Sequence, residues 1–306
     1  MENNLYLDEK DLKAYKIKTT IGKVVLYTFL VIVALFILIP FYWMFATALR
    51  SDAEMSATDV TIFPSDPDFM NFIRIFGEIK DPSGATLGTN HFLLFFWNTL
   101  KVGFFTTVFS LATTILAAFA FARLNFKGKD QIFGLMLATM MIPGEMMVIT
   151  NYMTVADLGW LEDKTGAITA MIVPFWVSVF YIFQLRQNFK QIPNELYYAA
   201  KVDGKTDWTY LWKVMVPLAS PALITIFILK LMGTWNSYVW PNLVANQEDW
   251  RLITNGLRSY SPSPSGEPHQ GLQMAATFIV TVPLLLLFIF FRKYIMRGVG
   301  RAGLKG

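Results

Sequence analysis

Six apolar stretches, separated by charged and turn-forming residues, dominate the chain. They run from Val24 to Ala46, Val102 to Ala122, Ile132 to Met153, Gly166 to Leu185, Pro217 to Val239 and Gln270 to Phe291. A helix rises about 1.5 Å per residue, so about 20 apolar residues cross roughly 30 Å of hydrocarbon. The pattern predicts an all-α, polytopic membrane protein with six transmembrane helices. The first run continues without a charge to Leu49. That is longer than the core of a cleavable signal, and no convincing small-x-small cleavage site follows, so it reads as a retained span. The second and sixth runs carry no charge, the third contains Glu145, and the fifth contains Lys230. Phe92 to Thr99 is apolar but short and is followed by Lys101. Its length suits an interfacial or re-entrant element before the second span.

The linkers sort by positive charge. The N-terminal segment, the second and fourth linkers and the C-terminal tail hold 18 of the 26 basic residues. The remaining linkers hold seven, and Lys230 lies within a span. The positive-inside rule puts both termini in the cytoplasm, as an even number of spans requires. The expected organisation is a cytoplasmic segment 1–23, a transmembrane domain 24–296 and a cytoplasmic tail 297–306. Within the domain lie an outer linker at 50–90 and a cytoplasmic loop at 186–216. The Pro- and Gly-containing outer linker predicts turns and one short helix near Phe69 to Phe76, and Ser261 to Gly266 predicts an extended or turn segment.

Composition narrows the class. Of 306 residues, 54% are hydrophobic and 16% are charged, against about 25% charged in a soluble domain. This excludes a soluble globular enzyme, and the hydrophobicity excludes a disordered chain. With no Cys, disulfides and thiolate chemistry are excluded. His91 and His269 are too few for a multi-histidine metal site. The net charge of +4 is spread in short clusters between apolar runs, which fits a membrane flank better than a nucleic-acid surface. No Gly-x-x-x-x-Gly-Lys-Ser/Thr sequence occurs, so no ATP hydrolysis, and no catalysis of its own, is expected of this chain.

The fourth linker is the most informative segment. Pro193 and Asn194 suit a helix start, Glu195 suits the positive end of the helix dipole, and Gly204 suits a C-terminal cap. Leu196, Ala199 and Ala200 share one face by their spacing. A small apolar face of this kind can dock in a partner's groove, or the helix can lie on the membrane with its aromatic residues among headgroups.

This segment resembles the cytoplasmic loop of ATP-binding-cassette importer permeases: Glu-Ala-Ala, three residues, Gly, nine residues, then Ile-x-Leu-Pro. Here Ala199-Ala200 is followed by three residues and Gly204, and nine more lead to Val214-Met215-Val216-Pro217. Tyr198 stands where the family has the Glu. Further segments resemble the MalG-like subunit of carbohydrate importers. They are Ala117 to Arg123 with Phe126-Lys127-Gly128-Lys129, Met141-Ile142-Pro143, Trp235-Asn236 with Trp240-Pro241, Gly271 to Ala276, and the terminal Lys305-Gly306. The resemblance implies a type I ABC importer permease fold in a bacterial or archaeal cytoplasmic membrane. It implies a second homologous permease, two ATPase subunits that bind ATP and Mg2+, an extracellular or periplasmic sugar-binding protein, and a carbohydrate as solute. This chain would bind no cofactor or metal and no nucleic acid. The ATPase-coupling residues would be Glu195, Leu196, Tyr198, Ala199, Ala200, Asp203, Gly204 and Pro217, and the tail from Arg297 would reach into the ATPase dimer.

Polar groups in spans face protein or water by default. Glu145, after Pro143-Gly144, is either a gating residue at a helix break or a carboxylate paired across a subunit interface. Lys230 has the same ambiguity, can snorkel, and can pair with Glu145. Trp235, Asn236, Tyr238, Trp240 and Asn242 offer the aromatic faces and amides that a sugar needs, or else form an aromatic belt at the membrane surface. Ser178, Tyr181 and Gln184 complete the candidate path, with Asn98 a weaker member. Pro143, Pro174 and Pro283 can each kink a span.

Overall fold

A computed structural model describes residues 9–55, 61–80, 86–89, 91–260 and 270–300. Ser261 to Gly266, His269 and Lys305-Gly306 lie outside them. Ten helices frame it. They are α1 (Glu9–Ala48), α2 (Phe92–Arg123), α3 (Lys129–Thr139), α4 (Val148–Asp157) and α5 (Lys164–Ile172), then α6 (Val179–Lys190), α7 (Asn194–Val202), α8 (Ser220–Trp235), α9 (Val239–Val244) and α10 (Gln270–Gly300). Within α1, α2 and α10, Tyr15–Ala48, Phe92–Arg123 and Gln270–Tyr294 are long and apolar enough to cross a membrane. The third, fourth and fifth apolar runs are bent. Lys129–Thr139 meets Gly144–Asp157 at 85°, Lys164–Phe175 meets Val179–Lys190 at 43°, and Asp207–Leu218 meets Ser220–Trp235 at 78°. The six apolar runs are thus three long helices and three bent pairs, and two of the three expected kink positions, Pro143 and Pro174, fall at the bends. Pro143-Gly144, Pro174 and Pro221 stand at the bends, where a missing amide hydrogen and ring clashes interrupt the helical ladder. Pro40 and Pro283 lie inside continuous helices.

Phe92 to Thr99 is not a separate element. It forms the first turns of α2, a single 32-residue helix. Burial decides this. Phe92 and Phe95 are 2% and 1% exposed, in a core with Ala48, Ile75, Trp235, Ile253 and Leu272. The chain after α9 folds over the same turns. Asn98 donates to the carbonyls of Asp249 at 2.9 Å and Arg251 at 3.1 Å. The Thr99 hydroxyl accepts from the amide of Ile253 at 2.8 Å. The approach is close enough that a Cβ on Gly256 would sit 2.1 Å from the Phe95 ring.

Central helix α2 packs on α5, α6 and α8, while α1 packs on α10 and α10 on α8. The linker between α1 and α2 holds the expected short helix, Met70–Arg74. It also holds an antiparallel hairpin, Glu78–Lys80 with Thr86–Thr89, that the all-α expectation did not include. Asn71 donates to the carbonyls of Ala48 and Arg50, both at 3.0 Å, and so satisfies acceptors left open at the end of α1. Arg50 is buried beside it, bonded to the Thr61 carbonyl, 5.0 Å from the Trp43 ring centroid and 3.7 Å from Glu54.

Candidate functional site

The loop helix α7 starts after Pro193, with Glu195 in its first turn. It stops because Gly204 adopts φ +70°. The amides of Asp203, Gly204 and Lys205 then reach back to the carbonyls of Ala199, Lys201 and Ala200 at 2.9, 3.0 and 2.9 Å. A side chain at that φ would cost about 1–2 kcal/mol. Tyr197 and Ala200 pack on an apolar cluster built from Ile115 and Phe119 of α2, Leu185 and Phe189 of α6, and Tyr210, Met215, Leu223 and Ile226. The side chain of α7 and the membrane helices therefore share one continuous core. Tyr197 donates to Asp207 Oδ1 at 2.7 Å, and Lys201 Nζ lies 2.9 Å from the same oxygen. The Lys201 hydrogen bond first, then that of Tyr197, holds the Asp207 carboxyl below its ordinary range. The same Asp207 bond raises Lys201, and burial followed by the bond to Asp207 raises Tyr197.

The opposite face is open. Glu195, Leu196, Tyr198, Ala199, Asp203 and Gly204 are exposed, and Ala200 is half-buried. Leu196, Ala199, Ala200 and Asp203, with Lys205 and Lys213, line a groove of about 330 Å³. Pro217 is exposed outside it.

Two arginines hold this assembly together. Arg123, 8% exposed at the end of α2, donates to the Phe189 carbonyl at 2.9 Å and also to the Ile192 carbonyl and the Asn194 side chain. Arg186, 6% exposed, donates to the Phe121 carbonyl at 3.1 Å and stacks 3.8 Å from the Phe133 ring centroid, with Asp130 at 3.8 Å. From the sequence, Arg186 reads as a linker charge, and Arg123 as a linker charge that also ends the Ala117 to Arg123 resemblance segment. Their partners lie too far away in sequence for any local pattern to reveal them.

A second feature lies inside the bundle. Val102 and Thr106 of α2, Phe175, Tyr181, Lys230, Ser237 and Trp240 help to line a cavity of about 250 Å³. Of the candidate path residues, Tyr181 and Trp240 line it, as does Lys230. Ser178 precedes α6, and Gln184 has its amide oxygen buried without a hydrogen-bond partner. Trp235 lies in the core with Phe92, Phe95 and Ile253, its ring 5.6 Å from the Phe96 ring. Asn236 and Tyr238 are exposed. Glu145 is exposed in the 3-10 turn Gly144–Met147, at the 85° bend. It does not pair with Lys230, whose ammonium instead donates to the Phe175 carbonyl at 3.1 Å. Trp240 donates to the Ala170 carbonyl at 3.0 Å and presents its ring beside Phe175. Thr106, Phe175 and Ser237 were not foreseen as cavity residues, because only the bends bring them to one place.

Three long apolar helices and three bent pairs packed around α2 suit a polytopic membrane protein. Residues 110–301 match the family described as binding-protein-dependent transport system inner membrane component. The chain belongs to that family. It is 28% identical over 289 residues to the arabinooligosaccharides transport system permease protein AraQ of Bacillus subtilis, covering 94% of this chain and 97% of that protein. It is 28% identical over 276 residues to the lactose transport system permease protein LacG of Rhizobium radiobacter, covering 90% and 94%. It is 28% identical over 271 residues to the sn-glycerol-3-phosphate transport system permease protein UgpE of Yersinia enterocolitica, covering 88% and 93%. In fold it is similar, at TM-score 0.77 and 24% identity, to a chain of a bacterial ABC transporter involved in the import of the acidic polysaccharide alginate, covering 90% of this chain and 97% of that one.

Proposed function

We propose that this chain is one of two permease subunits of an ATP-driven, binding-protein-dependent importer for a carbohydrate. In this reading α7 is the coupling helix. Its exposed residues, Leu196, Tyr198 and Ala199, dock in a groove of an ATPase subunit, and the buried face, with Tyr197 and Ala200, transmits ATPase closure to the bundle. The observation that carries the reading is the join between α7 and the spans: Arg123 bonds α2 to the chain entering α7, and Tyr197 and Ala200 enter the same apolar cluster as α2, α6 and α8. A movement imposed on α7 is then delivered to the bundle as a shift of packed units rather than lost in a loose loop. The loop end of the bundle lies on the cytoplasmic side, following the charge distribution. Partners follow from the family: a homologous second permease, two ATPase subunits that hold ATP and Mg2+, and a sugar-binding protein outside. Carbohydrate as the solute rests on the oligosaccharide and lactose permeases among its relatives.

The experiment is purification of the chain in mild detergent from its native membrane, followed by ATPase assays with the copurified partners. Copurification of an ATP-binding subunit, and ATP hydrolysis stimulated by a carbohydrate-loaded binding protein, are the expected results. Solute movement by the chain alone, driven by an ion gradient, would overturn the reading.

A further inference from the structure

We propose that the cavity between α2, α5, α6 and α8 is a subsite for an anionic carbohydrate, one bearing a carboxylate or phosphate, with Lys230 as its counter-charge. The inference rests on the carbohydrate-importer reading and goes further in naming the chemical class of the sugar.

An ionisable residue within a span is costly, so its position needs a physical reason. Lys230 stands ten residues into α8, about 15 Å from its start. Its Nζ bonds the Phe175 carbonyl at 3.1 Å. That carbonyl lies at the break before α6, where the helical ladder is interrupted. A neutral amide could fill this acceptor as well, so the bond does not account for a charge. An ammonium carries three donors, and this one uses a single donor among the described residues. No Asp or Glu is among the residues that line the cavity.

The rest of the lining suits a sugar. Phe175 and Trp240 meet edge to face at 6.1 Å and supply apolar surface for ring C–H groups. Tyr181 and Ser237 supply hydroxyls at the wall. In surroundings of low polarity, attraction between an ammonium and an anion far exceeds its value in water. The cavity therefore favours a solute that brings a negative group over one that brings only hydroxyls. At about 250 Å³ it falls below the about 300–1,000 Å³ of a typical ligand site, so it accepts one end of an oligomer rather than the whole.

The test uses the intact complex in lipid nanodiscs without its binding protein. Equilibrium dialysis compares digalacturonic acid, glucose 6-phosphate and the neutral disaccharide galactobiose. At least tenfold tighter binding of one of the two anions than of galactobiose is expected, and which anion wins separates carboxylate from phosphate. Lys230→Met should erase the preference, and Lys230→Arg should keep it. Should the Met variant fail to assemble, Lys230→Gln and the wild-type comparison decide. Equal binding of galactobiose and both anions, or an anion preference that survives Lys230→Met, overturns the proposal and leaves the carbohydrate reading intact. Binding of dialanine with no binding of any of the three sugars overturns both.

Discussion

At the scale of single residues, the decisive group is Arg123. Its planar fork reaches two backbone carbonyls and one amide oxygen at once, a geometry that the single charged head of a lysine cannot copy. Arg123→Met should insert normally while uptake per ATP hydrolysed falls at least tenfold, and Arg123→Lys should not restore it. Parallel uptake and ATPase measurements in proteoliposomes check this; an unchanged ratio would show that α2 and α7 are joined by other contacts. Asp207 adds a pH test. Its carboxyl is held below the ordinary value of 3.8, first by Lys201 and then by Tyr197. The contribution of these bonds is fully present above the unfolded value and is lost as pH falls through the lowered folded value. Neutral and mildly acidic pH should thus leave the loop intact, whereas Asp207→Asn should speed amide exchange across residues 194–205 at neutral pH.

At the scale of elements, bends and close approaches shape the apolar runs of the hydropathy pattern. The turn around Gly256 is closed onto α2, leaving no room for a side chain beside Phe95. Gly256→Val should destabilise this end of the bundle by about 1–3 kcal/mol, the usual cost of overpacking. A lower thermal midpoint of the purified complex would show it, and an unchanged midpoint would mean that the Ile253–Gly256 turn yields freely. The same region explains why Phe92 to Thr99 was misplaced by pattern alone. Its length suggested a surface element, yet the cover supplied by residues 249–256, distant in sequence, makes it the buried start of α2.

At the scale of the whole molecule, apolar surface is left open on α1, where Phe29, Phe36 and Ile39 are exposed, as suits a chain surrounded by lipid and other membrane helices. The open face of α7 is a different kind of surface, small and solvent-facing, and it separates assembly from insertion. Ala199→Asp adds a charge to an exposed position on that face, so the chain should still reach the membrane while recovery of the ATPase subunit drops at least tenfold. Quantitative mass spectrometry of the purified complex measures both quantities. Full recovery would remove α7 from the docking surface.

What the sequence determined by itself was what local chemistry controls. Long apolar runs must become membrane helices, since unpaired backbone groups cannot be left in hydrocarbon. Gly204 marks the end of α7 because its backbone angle suits a residue without a Cβ. The spacing of Leu196, Ala199 and Ala200 placed them on one face, and they do share a groove. Tertiary structure alone decided the rest. Whether Trp235 faces a path or a core, whether Lys230 meets Glu145 or the Phe175 carbonyl, and whether Arg123 is a surface charge or a buried tie all depend on groups tens of residues away. Those groups are brought near only by the bends and by packing around α2, and no periodicity within one segment encodes a distance to another.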